Sequence, residues 1–306
     1  MLRPLPVSLL SRRSLLLGAS ALAVPLGCHA QRSPTQSPEA DAFQAELVAI
    51  ERRLGGRVGV AAVDTGDGRR LAYRGGERVA MCSTFKLPLV AAVLARVDAS
   101  DEDLTRRVPF GKADLLEYAP VTRTRIADGG MTVDELCAAA VTVSDNTAAN
   151  LLLPTIGGPA GLTQYFRRLG DSVSRLDRNE PLLNTALADD DRDTTTPDAM
   201  SSVLQRVLVE DALSTASRER LIAWMVDSTT GRARLRAGLP ATWRVGDKTG
   251  TGERGATGDV GIAYPPSRAP ILLAAYLVGS DASIDDRNRV FAAIANAMRR
   301  ALSIPA

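Results

Sequence analysis

The stretch Arg57-Val58-Gly59-Val60-Ala61-Ala62-Val63-Asp64-Thr65-Gly66-Asp67-Gly68-Arg69-Arg70-Leu71-Ala72-Tyr73 reads as a β-hairpin. Val58, Val60 and Ala62 alternate up to the Thr65-Gly66-Asp67-Gly68 turn, and Leu71 and Tyr73 continue on the return strand. The next strand-like runs come near the other end of the chain, at 243–249, 259–264 and 271–278, separated by turns containing glycine or proline. Upstream of the hairpin, Phe43, Leu47, Ile50 and Leu54 recur at helical spacing until Gly55, which predicts a helix over 40–54. A last helix is predicted over 283–302, with Ile284, Val290, Phe291, Ile294 and Met298 as its apolar positions.

Between these ends the pattern is helical, with segments at 84–97, 132–141, 145–153, 159–168, 197–209 and 216–225. The strands are therefore split around a helical insert. Neighbouring hairpin strands favour an antiparallel sheet, so the expected fold is α/β in the α+β sense: a five-stranded antiparallel sheet flanked by the N- and C-terminal helices, with an all-helical half beside it. The expected boundaries are 40–82 and 226–306 for the α/β half and 83–225 for the helical half, the latter including a polar loop at 175–193.

The first thirty residues are of another kind. Arg3, Arg12 and Arg13 precede an apolar run from Leu15 to Leu26, and no acidic residue appears before Glu39. This is the pattern of an export signal, ending in Cys28-His29-Ala30, with residues 31–39 as a polar leader. Ser11-Arg12-Arg13-Ser14-Leu15-Leu16 is similar to the twin-arginine type, the alternative being an arginine pair in a general secretory signal. The expected destination is the periplasm or the medium. Pro25 makes Pro25-Leu26-Gly27-Cys28 a poor lipidation signal.

The signal holds three of the 37 basic residues and none of the 35 acidic ones, so the remainder is close to neutral and carries no footprint for nucleic acid or an anionic membrane. It also holds the only histidine, His29. A Ser-His-Asp triad and a histidine-ligated zinc site are thereby excluded, and no metal or cofactor is implied. Cys82 and Cys137 remain, which permits one disulfide without establishing it.

Three short runs can carry chemistry. Met81-Cys82-Ser83-Thr84-Phe85-Lys86 places Ser83 and Lys86 three apart at a predicted helix start, on one face. Serine becomes a useful nucleophile when a base takes its proton, and a lysine serves if its surroundings disfavour its charge. Ser144-Asp145-Asn146 offers a hydroxyl and an amide, although all three residue types are also ordinary helix caps. Lys248-Thr249-Gly250 follows a predicted strand; its lysine can bind a carboxylate, and its glycine allows close approach of a substrate to the backbone.

Taken in this order, the three runs resemble the signature of the penicillin-recognising serine enzymes. The chain is identified as a member of their class A β-lactamase branch by Arg175-Leu176-Asp177-Arg178-Asn179-Glu180-Pro181-Leu182-Leu183-Asn184, continuing to Asp193, which resembles that branch's omega loop. The resemblance also takes in Tyr118-Ala119-Pro120 and reaches across most of the chain, and it implies a β-lactamase/transpeptidase-like fold.

The resemblance implies Ser83 as nucleophile, with Lys86, or Glu180 through water, as the base that frees it. Ser144 would pass a proton to the leaving nitrogen, helped by Lys248. Glu180 and Asn184 would hold the hydrolytic water. The backbone amides of Ser83 and Thr251 would form the oxyanion hole. Asn146, Thr249 and Gly250 would contact substrate, Tyr118 would wall the cleft or be a half-buried aromatic, and Arg178 would pair with Asp193 across the loop neck. Many relatives bind the substrate carboxylate with an arginine where this chain has Thr257; another branch uses the position of Arg234, which is present. The family's disulfide pairings each lack a partner here, so Cys82 and Cys137 are expected as free thiols. The implied partner is a β-lactam small molecule and the implied state a monomer. A penicillin-binding peptidase or an acylated sensor domain is the rival, and Glu180 with Asn184 argues against both.

Overall fold

In the computed structural model, residues 38–305 are described; the expected export signal, His29 and Cys28 lie outside them. Helix α1 (Pro38–Leu54) leads into strands β1 (Arg57–Asp64) and β2 (Arg70–Tyr73). The first described residues are already helical, so α1 opens two residues before the predicted start at 40. A prolyl residue is well tolerated in a first helical turn, and Glu39 and Asp41 favour that end of the helix dipole.

A short strand β3 (Val79–Ala80) and a 3₁₀ turn (Cys82–Phe85) precede helix α2 (Lys86–Asp98). Strands β4 (Arg107–Pro109) and β5 (Gly130–Thr132) pair ahead of helices α3 (Val133–Thr142), α4 (Asn146–Leu152) and α5 (Gly158–Arg168). Strand β6 (Thr194–Thr195) pairs with β3, and helices α6 (Pro197–Leu208) and α7 (Thr215–Val226) follow. Strands β7 (Arg244–Thr251), β8 (Thr257–Tyr264) and β9 (Ile271–Val278) and helix α8 (Ile284–Ala301) close the chain.

The sheet has five strands in the order β2-β1-β9-β8-β7, antiparallel throughout. Its centre is apolar on both faces: β9 is buried from Ile271 to Leu277, because each face is covered. On one face α1 and α8 pack Phe43, Leu47 and Ile50 with Phe291, Ile294 and Met298. On the other, Phe85, Leu87 and Leu89 join Leu136, Leu152, Phe166, Val203 and Leu221 in a second core, to which the sheet contributes Val260, Ile262 and Tyr276. Burying a side chain such as Phe291 or Ile294 contributes about 1.5–3 kcal/mol.

Ile284, read as an apolar core position, is instead 41% exposed, because it stands at the first turn of α8 before the helix reaches the sheet. Pro88 causes no break in α2. It lies in the first turn, where the amide it lacks has no carbonyl one turn back within the helix. Cys82 and Cys137 are both buried free thiols.

Candidate active site

Ser83 sits in the 3₁₀ turn, and the α-helix predicted from residue 84 begins two residues later, at Lys86. The residue before it, Cys82, has a positive φ of 45°, which lets the turn pass from β3 into α2 while keeping Lys86 over the serine. A non-glycine residue in that region costs on the order of 1–3 kcal/mol, offset here by the packing of Cys82, which is 1% exposed. Burial pushes the Cys82 thiol up to about 12, so it has no thiolate chemistry to compete with the serine.

Lys86 Nζ lies 3.0 Å from Ser83 Oγ, 2.9 Å from Ser144 O, 3.3 Å from Ser144 Oγ, 2.5 Å from Asn146 Oδ1 and 3.0 Å from Glu180 Oε1. Three ammonium protons cannot satisfy all of these acceptors together, so the network has more than one proton arrangement. Burial lowers the Lys86 pKa, and the charge of Glu180 opposes the shift. Glu180 also reaches the serine directly: Ser83 Oγ donates to its Oε1 at 3.2 Å, while Asn184 Nδ2 donates to its Oε2 at 2.5 Å.

The carboxylate is held from behind by a residue whose role the sequence did not disclose. Asn150 Nδ2 donates to Glu180 O at 2.8 Å, and Asn150 Oδ1 accepts from Glu180 N at 3.0 Å. Asn150 is one helical turn beyond Asn146 on α4, so the two amides share a face, and that spacing was the available signal. The Glu180-Pro181 peptide bond is cis.

The loop neck closes through Arg178, whose Nε donates to Asp193 Oδ2 at 2.5 Å. Asp193 Oδ1 accepts the amides of Asp177 and Arg178 at 2.7 and 2.9 Å, and Asp193 O accepts from Met81 N at 3.0 Å. The neck is thus tied to the turn that bears the serine.

Ser144, at φ 61°, points its hydroxyl between the two lysines, and Lys248 Nζ donates to it at 2.9 Å. Lys248 is fully buried, and its pKa is held well below the ordinary lysine value by burial and then by the charge of Lys86. Asp145 is the helix cap in this run: its Oδ1 accepts from Ala148 N at 2.9 Å, and its Oδ2 from the amides of Val121 and Thr122 at 3.0 and 2.9 Å. Tyr118 O accepts from Asn146 N at 3.1 Å, which fixes its loop beside the site, while Tyr118 itself is 51% exposed.

Strand β7 closes the opposite side. The freedom of Gly250 is used against the protein itself, since an added Cβ would lie 2.7 Å from Met81 O and 3.1 Å from Thr84 N. Thr249 Oγ1 donates to Thr230 Oγ1 at 2.7 Å, a partner with no local sequence signal, and Thr251 is exposed at the strand end.

Arg234 is not the surface arginine that its loop position allowed. It is 5% exposed, and donates to Asn288 Oδ1 at 2.9 Å, Gly250 O at 2.8 Å, Gly258 O at 2.7 Å and Thr251 Oγ1 at 2.7 Å. Thr257 Oγ1 accepts from Arg287 Nη1 at 2.9 Å, so α8 supplies a second guanidinium to this end of β8. Among the described residues there is no cluster of His, Cys, Asp and Glu able to hold a metal.

This arrangement can support acyl transfer: a serine hydroxyl between an amine and a carboxylate, a second hydroxyl between two amines, and cations at the end of a strand edge. The sequence matches the family model described as the beta-lactamase enzyme family over residues 42–302. The fold is similar to the solved structure of an ancestral class A β-lactamase, at 56% identity and a TM-score of 0.83 over 85% of this chain and 99% of that one. It is similar also to a putative class A β-lactamase from Rhodopseudomonas palustris, at 50% identity and a TM-score of 0.84 over 85% of this chain and 100% of that one.

Proposed function

Since the chain belongs to the β-lactamase enzyme family, as a class A serine β-lactamase, we propose that it hydrolyses the amide bond of penicillins and cephalosporins through an ester on Ser83, conferring resistance to them. The observation that carries this reading is the shared Glu180 carboxylate, with Oε1 on Ser83 Oγ and Lys86 Nζ and Oε2 on Asn184. One carboxylate so placed can serve both the serine and a water. Asn184 Oδ1, buried and without a partner among the described residues, is the acceptor such a water needs.

Ser83 Oγ attacks the lactam carbonyl, and its proton passes to Lys86 or to Glu180. The backbone amides of Ser83 and Thr251 face the developing oxyanion; losing one such donor costs about 2.7–4 kcal/mol. The C–N bond breaks as Ser144 gives its proton to the ring nitrogen and is resupplied through the lysines. Water held by Glu180 and Asn184 then attacks the ester, Glu180 takes its proton, and the ester C–O bond breaks as that proton passes, directly or through Lys86, to Ser83 Oγ. Arg234, Lys248 and Thr249 would hold the substrate carboxylate, Asn146 the side-chain amide, and Tyr118 the cleft mouth.

Export by residues 1–30, by the twin-arginine route, would place this activity in the periplasm or medium, as a monomer. No helix among the described residues is long and apolar enough to cross a membrane. The test is turnover of nitrocefin by the purified chain. Many turnovers per molecule are expected, and a single stoichiometric burst would turn the reading toward a peptidase or sensor.

A further inference from the structure

Asp247 and Asp259 lie on one face of the sheet at the edge that carries the Lys-Thr-Gly run. Asp259 is in register with Thr249, and Asp247 is two residues before Thr249 on the same side of β7. They are 1% and 0% exposed. A carboxylate so buried must either be held by a cation or several hydrogen bonds, as Asp145 is, or give up its charge.

Asp247 has its cation: Arg236 Nη2 donates to Oδ1 at 2.8 Å. Asp259 has none. Its Oδ2 accepts only Leu235 N at 3.0 Å, and its Oδ1 is buried without a partner. The cations packed around it make their hydrogen bonds elsewhere, and the Nε–H groups of Arg236 and Arg287, buried without a partner, do not reach it either. Arg234 turns to Asn288, Gly250, Gly258 and Thr251, and Lys248 to Ser144 Oγ and Thr249 O. Arg236 turns to Asp247 and the carbonyls of Val226 and Met225, and Arg287 of α8 to Thr257. The second oxygen of Asp247 is likewise buried with no hydrogen bond of ordinary geometry, and the Ser228 hydroxyl is a neighbour that favours its charged form.

We propose that Asp247 and Asp259 hold one proton between them at neutral pH, carried on Asp259, so that the pair places one negative charge rather than two behind Lys248 and Arg234. Burial and then the charge of Asp247 push Asp259 well above the usual carboxylate range, and burial, against Arg236, pushes Asp247 up as well. Asp259 touches neither substrate nor reacting atoms; it is a positioning residue that acts through the field on two cations. This consequence for substrate rests on the function proposed above, whereas the proton assignment does not. Release of the proton at alkaline pH adds a negative charge beside the groups that attract the substrate carboxylate, weakening its binding on the order of tenfold.

Two measurements test the proposal. In the wild-type chain carrying carbon-13 at its aspartate carboxyls, infrared spectra at neutral pH should show the carbonyl stretch of a protonated carboxylic acid, lost as pH is raised and absent from Asp259→Asn. The KM for a penicillin should rise toward alkaline pH in wild type, and less in Asp259→Asn, whose side chain is neutral throughout. Absence of the protonated band from wild type at neutral pH overturns the proposal, and so do superimposable KM profiles. The infrared measurement needs only wild type, so it decides even where the variant does not fold. A chain that shows the band but turns over no β-lactam supports the proton assignment while removing the reaction.

Discussion

At the scale of single residues, the proposed mechanism rests on the position of Glu180, which would separate a hydrolase from an acylated protein with the same serine. Both carboxylate oxygens are engaged, one with Ser83 and Lys86 and one with Asn184. Replacing a positioned general base forfeits about 10² to 10⁴ in rate. Glu180→Ala should therefore still open a penicillin and strand the ester, giving a long-lived adduct on the Ser83 peptide by mass spectrometry. Wild-type hydrolysis by that variant would remove Glu180 from the deacylation step. Arg234→Ala should have a double consequence, because the guanidinium is proposed to help bind the substrate carboxylate and also satisfies Gly250 O and Gly258 O. The variant should raise the KM for penicillins and slow inactivation by clavulanate. Each buried acceptor left bare costs about 1–3 kcal/mol, so its melting temperature should fall as well. Unchanged kinetics with a lowered melting temperature would make the residue purely structural.

At the scale of elements, the site is a junction between the edge of a sheet and a tight turn. Strand β7 approaches the Cys82–Phe85 turn so closely that a methyl at Gly250 would press on Met81 O and Thr84 N, both backbone atoms that cannot swing aside. Overpacking of this kind typically costs about 1–3 kcal/mol. Gly250→Ala should accordingly lower both stability in urea and kcat/KM, since relieving the clash displaces either the nucleophile turn or Thr251. A variant with wild-type kcat/KM would show that the junction tolerates such a shift. Helix α8 contributes to the same junction from the far side of the sheet, through Asn288 on Arg234 and Arg287 on Thr257.

At the scale of the whole molecule, buried charges give stability opposing dependences on pH. The folded chain holds a proton on Asp259 that the unfolded chain releases near the ordinary value of 3.8, so this group's contribution falls as pH rises from there through the raised folded value. Lys248 has the opposite sign. Its folded value lies well below 10.5, the unfolded chain binds the extra proton between the two, and its contribution rises with pH across that window. Asp259→Asn removes the first effect and keeps the second. The melting temperature of the variant relative to wild type should thus climb from acidic toward alkaline pH, and a constant difference would contradict a raised Asp259.

Local pattern determined the order of the long helices and of the five sheet strands and the chemistry-bearing runs, while the short strands β3, β4, β5 and β6, three of them inside the half expected to be all-helical, were missed. Alternation marked β1 and β2, helical spacing marked α1 and α8, and the three short runs with the Glu180 segment carried the resemblance from which the site residues were named. Those features are legible because they rest on repeats of two or 3.6 residues and on fixed short spacings. The tertiary structure alone decided which distant groups meet. It turned Arg234 from a loop arginine into a buried donor to two strands, gave Glu180 its hold from Asn150, and left Asp259 without a cation. The physical reason is that burial and hydrogen-bond direction depend on neighbours far away in sequence. A buried charge keeps or loses its proton according to which donors reach it, and no local spacing encodes that.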